Sequence, residues 1–557
     1  MIVTAAVLLV AFSLISDGQP PRDAAPQTGT AIIRGRVVGA ATGDPIRKAR
    51  VSISSDAPGP RDPAFTDGQG RFVFTDLPAG RYSIVAAKPG FAKTVFGAKG
   101  LVGPSTRIDV ANGEDVDGIE VRMPRSGAIS GHIVDEFGDP VELASVSAQR
   151  IVRTESGTSS TVAMASTATD DLGEYYLGGL PAGTFVVNAM LPIFQMVNTV
   201  TIADGVTQVV MRTGDVPPRT YYPGVATLSQ AQPIAVRAGE ERSATDFTVA
   251  PGATAKLSMR FVDAKGAPVD ANAMIASADE STTGVVNRPV LMVGPNQSTA
   301  LQPGQWVIYA RGMSLAGNRP GPMLVGMTRI SLNAGDDTSV TVPMVTGAHI
   351  SGKVTADGGP LPPRAQIRIE ASLLDPALAD AAGFVSMGFV LPDGVFDLSG
   401  IIGRRELRVP SMPRGYLASA VLYEGRNLID SPIDFKGGEE LLGVQVVLTS
   451  RLSQLTGTAT DAAKAPVSDY SVLLFPEDPA LLKNSGRLAR WVRPNQRGQF
   501  TSDDLLPGSY LVIAVDDVDA DQWQQFAYLN QFREHAARVT LGDAEKKAIT
   551  LELRSAR

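Results

Sequence analysis

The stretch Thr66–Ala87, TDGQGRFVFTDLPAGRYSIVAA, decides the fold. Asp67-Gly68 and Gly70 supply a tight turn, because Gly accepts positive φ at little steric cost. Arg71 to Phe74 then alternates, with Phe72 and Phe74 on one face, as the two-residue period of a strand requires. Asp76 to Gly80 is a second turn. Arg81 to Ala86 alternates again, with Tyr82, Ile84 and Ala86 on one face. One packed face and one wet face give this pattern. Two strands alone are marginal, so the unit needs partners.

Outward from this stretch the chain repeats itself in a fixed order of three signatures. An opening strand, turn and strand begins at Ile32 and returns at Ala128, Ala255, His349 and Ser453. The Thr66–Ala87 pattern returns from Thr169, Val293 and Asn495, with a degraded form from Leu391. Tyr82, Phe185, Trp306, Leu407 and Tyr510 take corresponding positions in this reading. A closing strand, polar turn and strand begins at Arg107, Pro233, Arg329, Pro432 and Arg538. The second repeat holds an additional copy from Thr199. Six or seven short strands in roughly 95–125 residues is a β-sandwich count. The expectation is an all-β chain: a tandem array of about five Ig-like, prealbumin-like sandwiches, with one short helix in the last. The expected domains are 30–124, 125–251 (with the insertion), 252–346, 347–450 and 451–557. Tight joints such as MPRSGAIS from Met123 predict a fairly rigid rod or arc. Asp519 to Ala536 is predicted helical, with Trp523, Phe526, Leu529 and Phe532 every third residue, covering the open edge of the last sandwich.

Composition agrees. The chain has 557 residues with 56 Gly and 39 Pro, natural for short strands and tight turns. A formal charge of −7 with no Lys/Arg block gives no support to a nucleic-acid partner. The absence of Cys removes disulfides, thiolate catalysis and Cys-ligated zinc. Ile2 to Ile15 is apolar save Thr4 and Ser13, the length of a secretory core rather than of a span. Residues 1–18 therefore read as a signal peptide, although no basic residue precedes them and no A-x-A site follows. Residues 19–29 read as a linker, and no transmembrane span is expected in the mature chain.

The repeat resembles the carboxypeptidase regulatory-like domain, a transthyretin-like sandwich. The resemblance is carried by GRVVGAATGDPIRKARVSIS, TDGQGRFVFTDLPAGRYSIVAA and KPGF (Lys88 to Phe91). In the second repeat it is carried by ISGHIVDEFGDPV and DDLGEYYLGGLPAGTF. The later repeats match by pattern. The resemblance implies an accessory, non-catalytic module and, through related sandwiches, a glycan role without specific binding residues.

The chemistry-bearing residues are few. His132, His349 and His535 are scattered, and no HExxH spacing occurs. The acidic turns at Asp67, Asp170, Asp171, Asp503 and Asp504 read as turn chemistry, because calcium needs six to eight converging oxygens. No cofactor is expected. Sugar faces stack on exposed rings, which singles out Tyr176, since neighbouring Tyr175 and Tyr176 point to opposite faces. Tyr221 and Tyr222 in the insertion are the other candidate glycan contacts, and Trp491 and Trp523 lie in the last repeat. The expected function is a non-catalytic exported scaffold or binding protein, with a glycan or an envelope protein as partner. The alternative is a carbohydrate-binding protein assisting polysaccharide capture.

Overall fold

The computed structural model describes residues 29–555 except 57–60, 100–102, 154–158, 192–196, 203–205, 212–218, 250–253, 279–290, 294–297, 317–318, 358, 363–365, 375–385, 485–487 and 521. The expected signal peptide at 1–18, and all of the linker but Gly29, lie outside the described residues.

In the first sandwich, one sheet has Ala31–Gly39 between Arg71–Leu77 and Asp115–Met123. The facing sheet runs Ala64–Phe65, Arg50–Ser55 and Gly80–Ala87, with Thr94–Val95 and Ile108–Val110 on its far side. The two strands of the opening stretch therefore do not pair with each other. Arg71–Leu77 pairs with Ala31–Gly39, and Gly80–Ala87 pairs with Arg50–Ser55. The turn between them crosses from sheet to sheet, so Phe72, Phe74 and Leu77 meet Tyr82, Ile84 and Ala86 in one core. Asp76 at the crossing has φ 57°, and Asp504 at the same place in the last sandwich has φ 58°.

The plan recurs with separate cores around Ile129–Val249, Ala255–Met344, Ala348–Leu448 and Leu455–Leu551. Each opening strand lies parallel to its own closing strand. Ala31–Gly39 does so with Asp115–Met123, Ala255–Val262 with Asp337–Pro343, Ala348–Asp357 with Glu440–Thr449, and Ser453–Thr460 with Lys546–Arg554. In the second sandwich Gly127–Val134 is paired by Glu241–Arg242 and Phe247–Thr248. Parallel neighbours need a long crossover. Each repeat thus closes only when its last strand returns beside its first, which explains the fixed order of the three signatures.

A buried polar tip fastens the sheet crossing in three sandwiches. Tyr82 Oη donates to Pro78 O at 2.6 Å, Trp306 Nε1 to Gln302 O at 2.9 Å and Tyr510 Oη to Leu506 O at 2.8 Å. The fourth sandwich differs from expectation. Register against the closing strand matches Tyr82 to Ile108 and Tyr510 to Val539, and it matches Arg405, not Leu407, to Ile433. The crossing there, Gly400 to Gly403, is one residue shorter than Asp76 to Gly80, which accounts for one of the two positions by which Leu407 is late.

The last repeat corrects the expected helix. Among the described residues, only Phe526–Asn530 of 519–536 is α-helical, flanked by turns, and a second short helix is Pro479–Asn484. Asp519 and Gln522 already spend their groups on local turns. The segment covers a sheet face rather than an edge. Leu529 and Phe532 pack on Leu473, Phe475, Leu511 and Ile513, whose neighbours Val472, Leu474, Tyr510 and Val512 face the sandwich core. Ser471–Pro476 and Gly508–Val515 are hence covered on both faces, as their unbroken apolar runs require.

The chain is not an open rod. The first sandwich touches the fifth, the fourth packs on both the third and the fifth, and Arg414 of the fourth donates to Asp56 O of the first at 2.9 Å.

Candidate binding cleft

The acidic turns hold backbone. Asp67 Oδ1 accepts the amides of Gln69 and Arg71 at 2.9 and 2.8 Å, and Asp170 Oδ1 those of Leu172 and Glu174 at 3.0 and 2.8 Å. The Arg71 amide is the main cause holding the Asp67 carboxyl below its ordinary range. Asp503 is drawn to Arg81 and Gln454. Among the described residues no group of three or more His, Asp or Glu side chains is placed to hold a metal ion.

The histidines sit on separate sandwiches. His132 lies between Asp246, 3.3 Å from Nδ1, and Glu174, 3.2 Å from Nε2. The Asp246 carboxylate first, then Glu174, raises its pKa above the ordinary 6.5. His349 Nε2 is 2.6 Å from Asp397 Oδ2, and His535 is exposed beyond the C-terminal helix. No nucleophile accompanies them among the described contacts.

The candidate glycan tyrosines separate. Tyr175 is buried, its hydroxyl donating to Thr245 O at 2.7 Å, and Tyr176 faces outward with 59% exposure. Its ring edge abuts Gly178, where a Cβ would meet Tyr176 Cε1 at 2.6 Å. Tyr221 is 0% exposed, which corrects its candidacy as a sugar contact. The reason is that Arg219–Tyr221 is a strand, not a free insertion: it pairs with Gly183–Met190, and the Tyr221 ring is fully buried. Tyr222 packs edge-on to Phe247 at 6.0 Å and 82°, its amide held by Val187 O.

The concave site lies elsewhere, at the seam of the fourth and fifth sandwiches. Trp491 pairs across the sheet with Leu473, so it shares the outer face that Leu473 occupies. Trp523, just ahead of Phe526–Asn530, meets it at 5.9 Å with the rings inclined by 58°. The fourth sandwich supplies the opposite wall from Gly403–Ser411 and Leu417–Tyr423. The cleft between them has a volume of about 620 Å³. Glu406, only 5% exposed, accepts from Arg408 Nη2 at 2.8 Å and Nε at 3.3 Å. Sequence reading singled out both Trp but not their meeting with the fourth sandwich, which no local pattern encodes.

The far side of Trp491 is closed by the first sandwich. A Cβ on Gly103, which has φ 117°, would lie 2.4 Å from the indole Cη2. A polar clasp surrounds this contact. Gln496 Oε1 accepts the Asp109 amide at 3.0 Å and its Nε2 donates to Asp109 O at 2.7 Å, copying a strand pair with a side-chain amide. Asn495 Oδ1 closes its own turn through the amides of Arg497 and Gln499, and its Nδ2 donates to Asp109 Oδ2 at 2.6 Å. Arg497 pairs with Glu114, Arg81 with Asp503, and Lys99 with Asp469. The Ala111 amide and then Arg497 hold the Glu114 carboxyl low. Burial works to raise Asp469, but Arg493 and Lys99 prevail and lower it.

With this architecture in place, comparison with known proteins gives one family. The family model described as the carboxypeptidase regulatory-like domain matches residues 32–123 and 128–262. These two segments are similar to carboxypeptidase regulatory-like domains. The second match continues into Ala255–Val262, the opening strand of the third sandwich. No curated protein matches the chain. Among solved structures, the Bacillus anthracis TIE protein aligns at 11% identity over 76% of this chain and 72% of its own, with a TM-score of 0.15. The minor pilin GBS52 of Streptococcus agalactiae aligns at 14% over 40% and 96%, with a TM-score of 0.20. The shaft pilin SpaA of Lactobacillus rhamnosus GG aligns at 10% over 40% and 98%, with a TM-score of 0.18. Likenesses this low carry no functional argument, so the regulatory-like domains and the geometry must supply it. Among the described residues no helix is long and apolar enough to cross a membrane.

Proposed function

We propose that the chain is a non-catalytic scaffold or binding protein of the cell envelope or extracellular space. The supporting observation is how its polar residues are used. Turn carboxylates hold amides, buried hydroxyls fasten sheet crossings, and the charged residues around the clasp join the first sandwich to the fifth. The accessory character of carboxypeptidase regulatory-like domains and the apolar N-terminal stretch point the same way. Its partners on this reading are envelope proteins or glycans, and nucleic acid is not among them. Fractionation of cells carrying an epitope-tagged full chain, with protease shaving of intact cells, tests the assignment. The tagged chain is expected in the envelope or the medium, and a purely cytosolic chain would refute the reading.

A second reading, capture of carbohydrate, is favoured by Tyr176 alone: its ring is 59% exposed and rests by its edge against Gly178. On a glycan array the full chain would bind a polysaccharide and Tyr176→Ala would not. Silence of the unaltered chain at millimolar sugar sinks this reading without touching the first.

A further inference from the structure

We propose that the cleft between the fourth and fifth sandwiches is a binding site for a neutral, ring-bearing, mostly apolar small molecule. This goes beyond the scaffold reading, which needs no ligand. Ligand sites favour seams between domains and run to roughly 300–1,000 Å³. This one is an open cleft at such a seam, with a volume of about 620 Å³.

The walls decide the chemistry. Met412, Leu417, Val421 and Ile429 form an aliphatic side, and Trp491 and Trp523 form an aromatic one. Two indoles inclined at 58° make a corner rather than a slot. A flat ring laid on one indole presents its edge to the other, the arrangement that aromatic quadrupoles favour. The charged lining residues are two acids, Glu406 and Asp430, and two bases, Arg408 and Arg490, so their formal charges cancel. Glu406 is already held by Arg408. A charged ligand would lose its water here without meeting a net opposite charge, which selects a neutral one. Gln524 at the rim offers both an amide donor and an acceptor for one polar substituent.

Trp491 is also the residue that Gly103 of the first sandwich backs. The aromatic wall is thus braced by the first sandwich as well. Bracing of this kind lowers the ordering entropy of binding.

The test is titration of the full chain with N-phenyl-1-naphthylamine, a neutral two-ring fluorophore that brightens when it leaves water. Two of the chain's three Trp lie in the cleft, so energy transfer from Trp to the probe reports the location. Saturable one-to-one binding with loss of Trp emission is expected. Trp523→Ala and, independently, Met412→Glu should each weaken binding at least tenfold, with unchanged circular dichroism marking the variants as folded. Probe binding that never saturates, or that both folded variants retain, overturns the site. Equally tight binding of the anionic analogue 8-anilinonaphthalene-1-sulfonate overturns the assignment of a neutral ligand. Each outcome is read on purified protein, so it stands apart from the localisation result that tests the scaffold reading.

Discussion

At the scale of single residues, one atom of difference separates a turn from a contact. Asp67 and Asp170 close their turns through Oδ1, and so does Asn495. Asn495 has in addition an amide to give Asp109. The turn pattern was legible in the sequence, but the reason for Asn instead of Asp was not, because Asp109 lies 386 positions away. The hydroxyl of Tyr510 is a second such case. Tyr510→Phe keeps the buried ring and strips Leu506 O of its donor, so a loss of about 1 kcal/mol is expected in denaturant unfolding, with the midpoint moved and the slope unchanged. His132 gives a pH signature. Its folded pKa is raised, so its contribution is full below the unfolded value of 6.5 and is lost as pH rises through the folded value. NMR titration should place its midpoint above 6.5, and the unaltered chain should lose slightly more stability from pH 6 to 8 than His132→Ala does.

At the scale of elements, the alternation in Thr66–Ala87 correctly marks both strands and their inward residues. It does not tell a hairpin from a crossing between sheets, since both need two strands and a turn. The crossing is chosen by what waits on each side: Ala31–Gly39 for one strand and Arg50–Ser55 for the other. Arg405 shows the limit of pattern more sharply. It stands where other sandwiches place an aromatic, and it is 0% exposed. Its Nε donates to Ile402 O at 2.9 Å and its Nη1 to Ala371 O at 3.1 Å, and its guanidinium lies 5.8 Å from the Tyr309 ring of the third sandwich. Burial lowers its pKa. Arg405→Ala removes these charged donors and leaves buried carbonyls without them. A loss of roughly 3 kcal/mol is expected in thermal or denaturant unfolding, and Arg405→Lys should recover only part of it because the planar fork is gone.

At the scale of the whole molecule, the chain folds back so that its first and fifth sandwiches meet. Around the Gly103–Trp491 contact the meeting is made by hydrogen bonds and ion pairs, which makes it sensitive to acid and salt in a way that the five apolar cores are not. Glu114 and Asp469 both have lowered folded pKa values, so their contribution is present above the ordinary 4.5 and 3.8 and is lost as pH falls through the folded values. Small-angle scattering should report a constant radius of gyration from pH 7 to 5, and an expansion in more acidic solution before the sandwiches unfold. Asn495→Asp sets a carboxylate against that of Asp109 and should produce the expanded form at neutral pH, more fully when 0.5 M salt is added. An unchanged radius in both experiments would refute the clasp.

The sequence by itself determined the all-β class, the recurring sandwich and most inward-facing residues. Those depend on the two-residue period and on turn chemistry, which act over a few neighbours. Only the tertiary structure decided that Tyr221 is core, that Arg405 replaces an aromatic, that the 519–536 segment covers a sheet face, and that Trp491 and Trp523 form a cleft with the fourth sandwich. Each of these depends on groups brought together from distant parts of the chain. Alternation within Thr66–Ala87 states which side of a strand is buried, and it carries no information about what buries it.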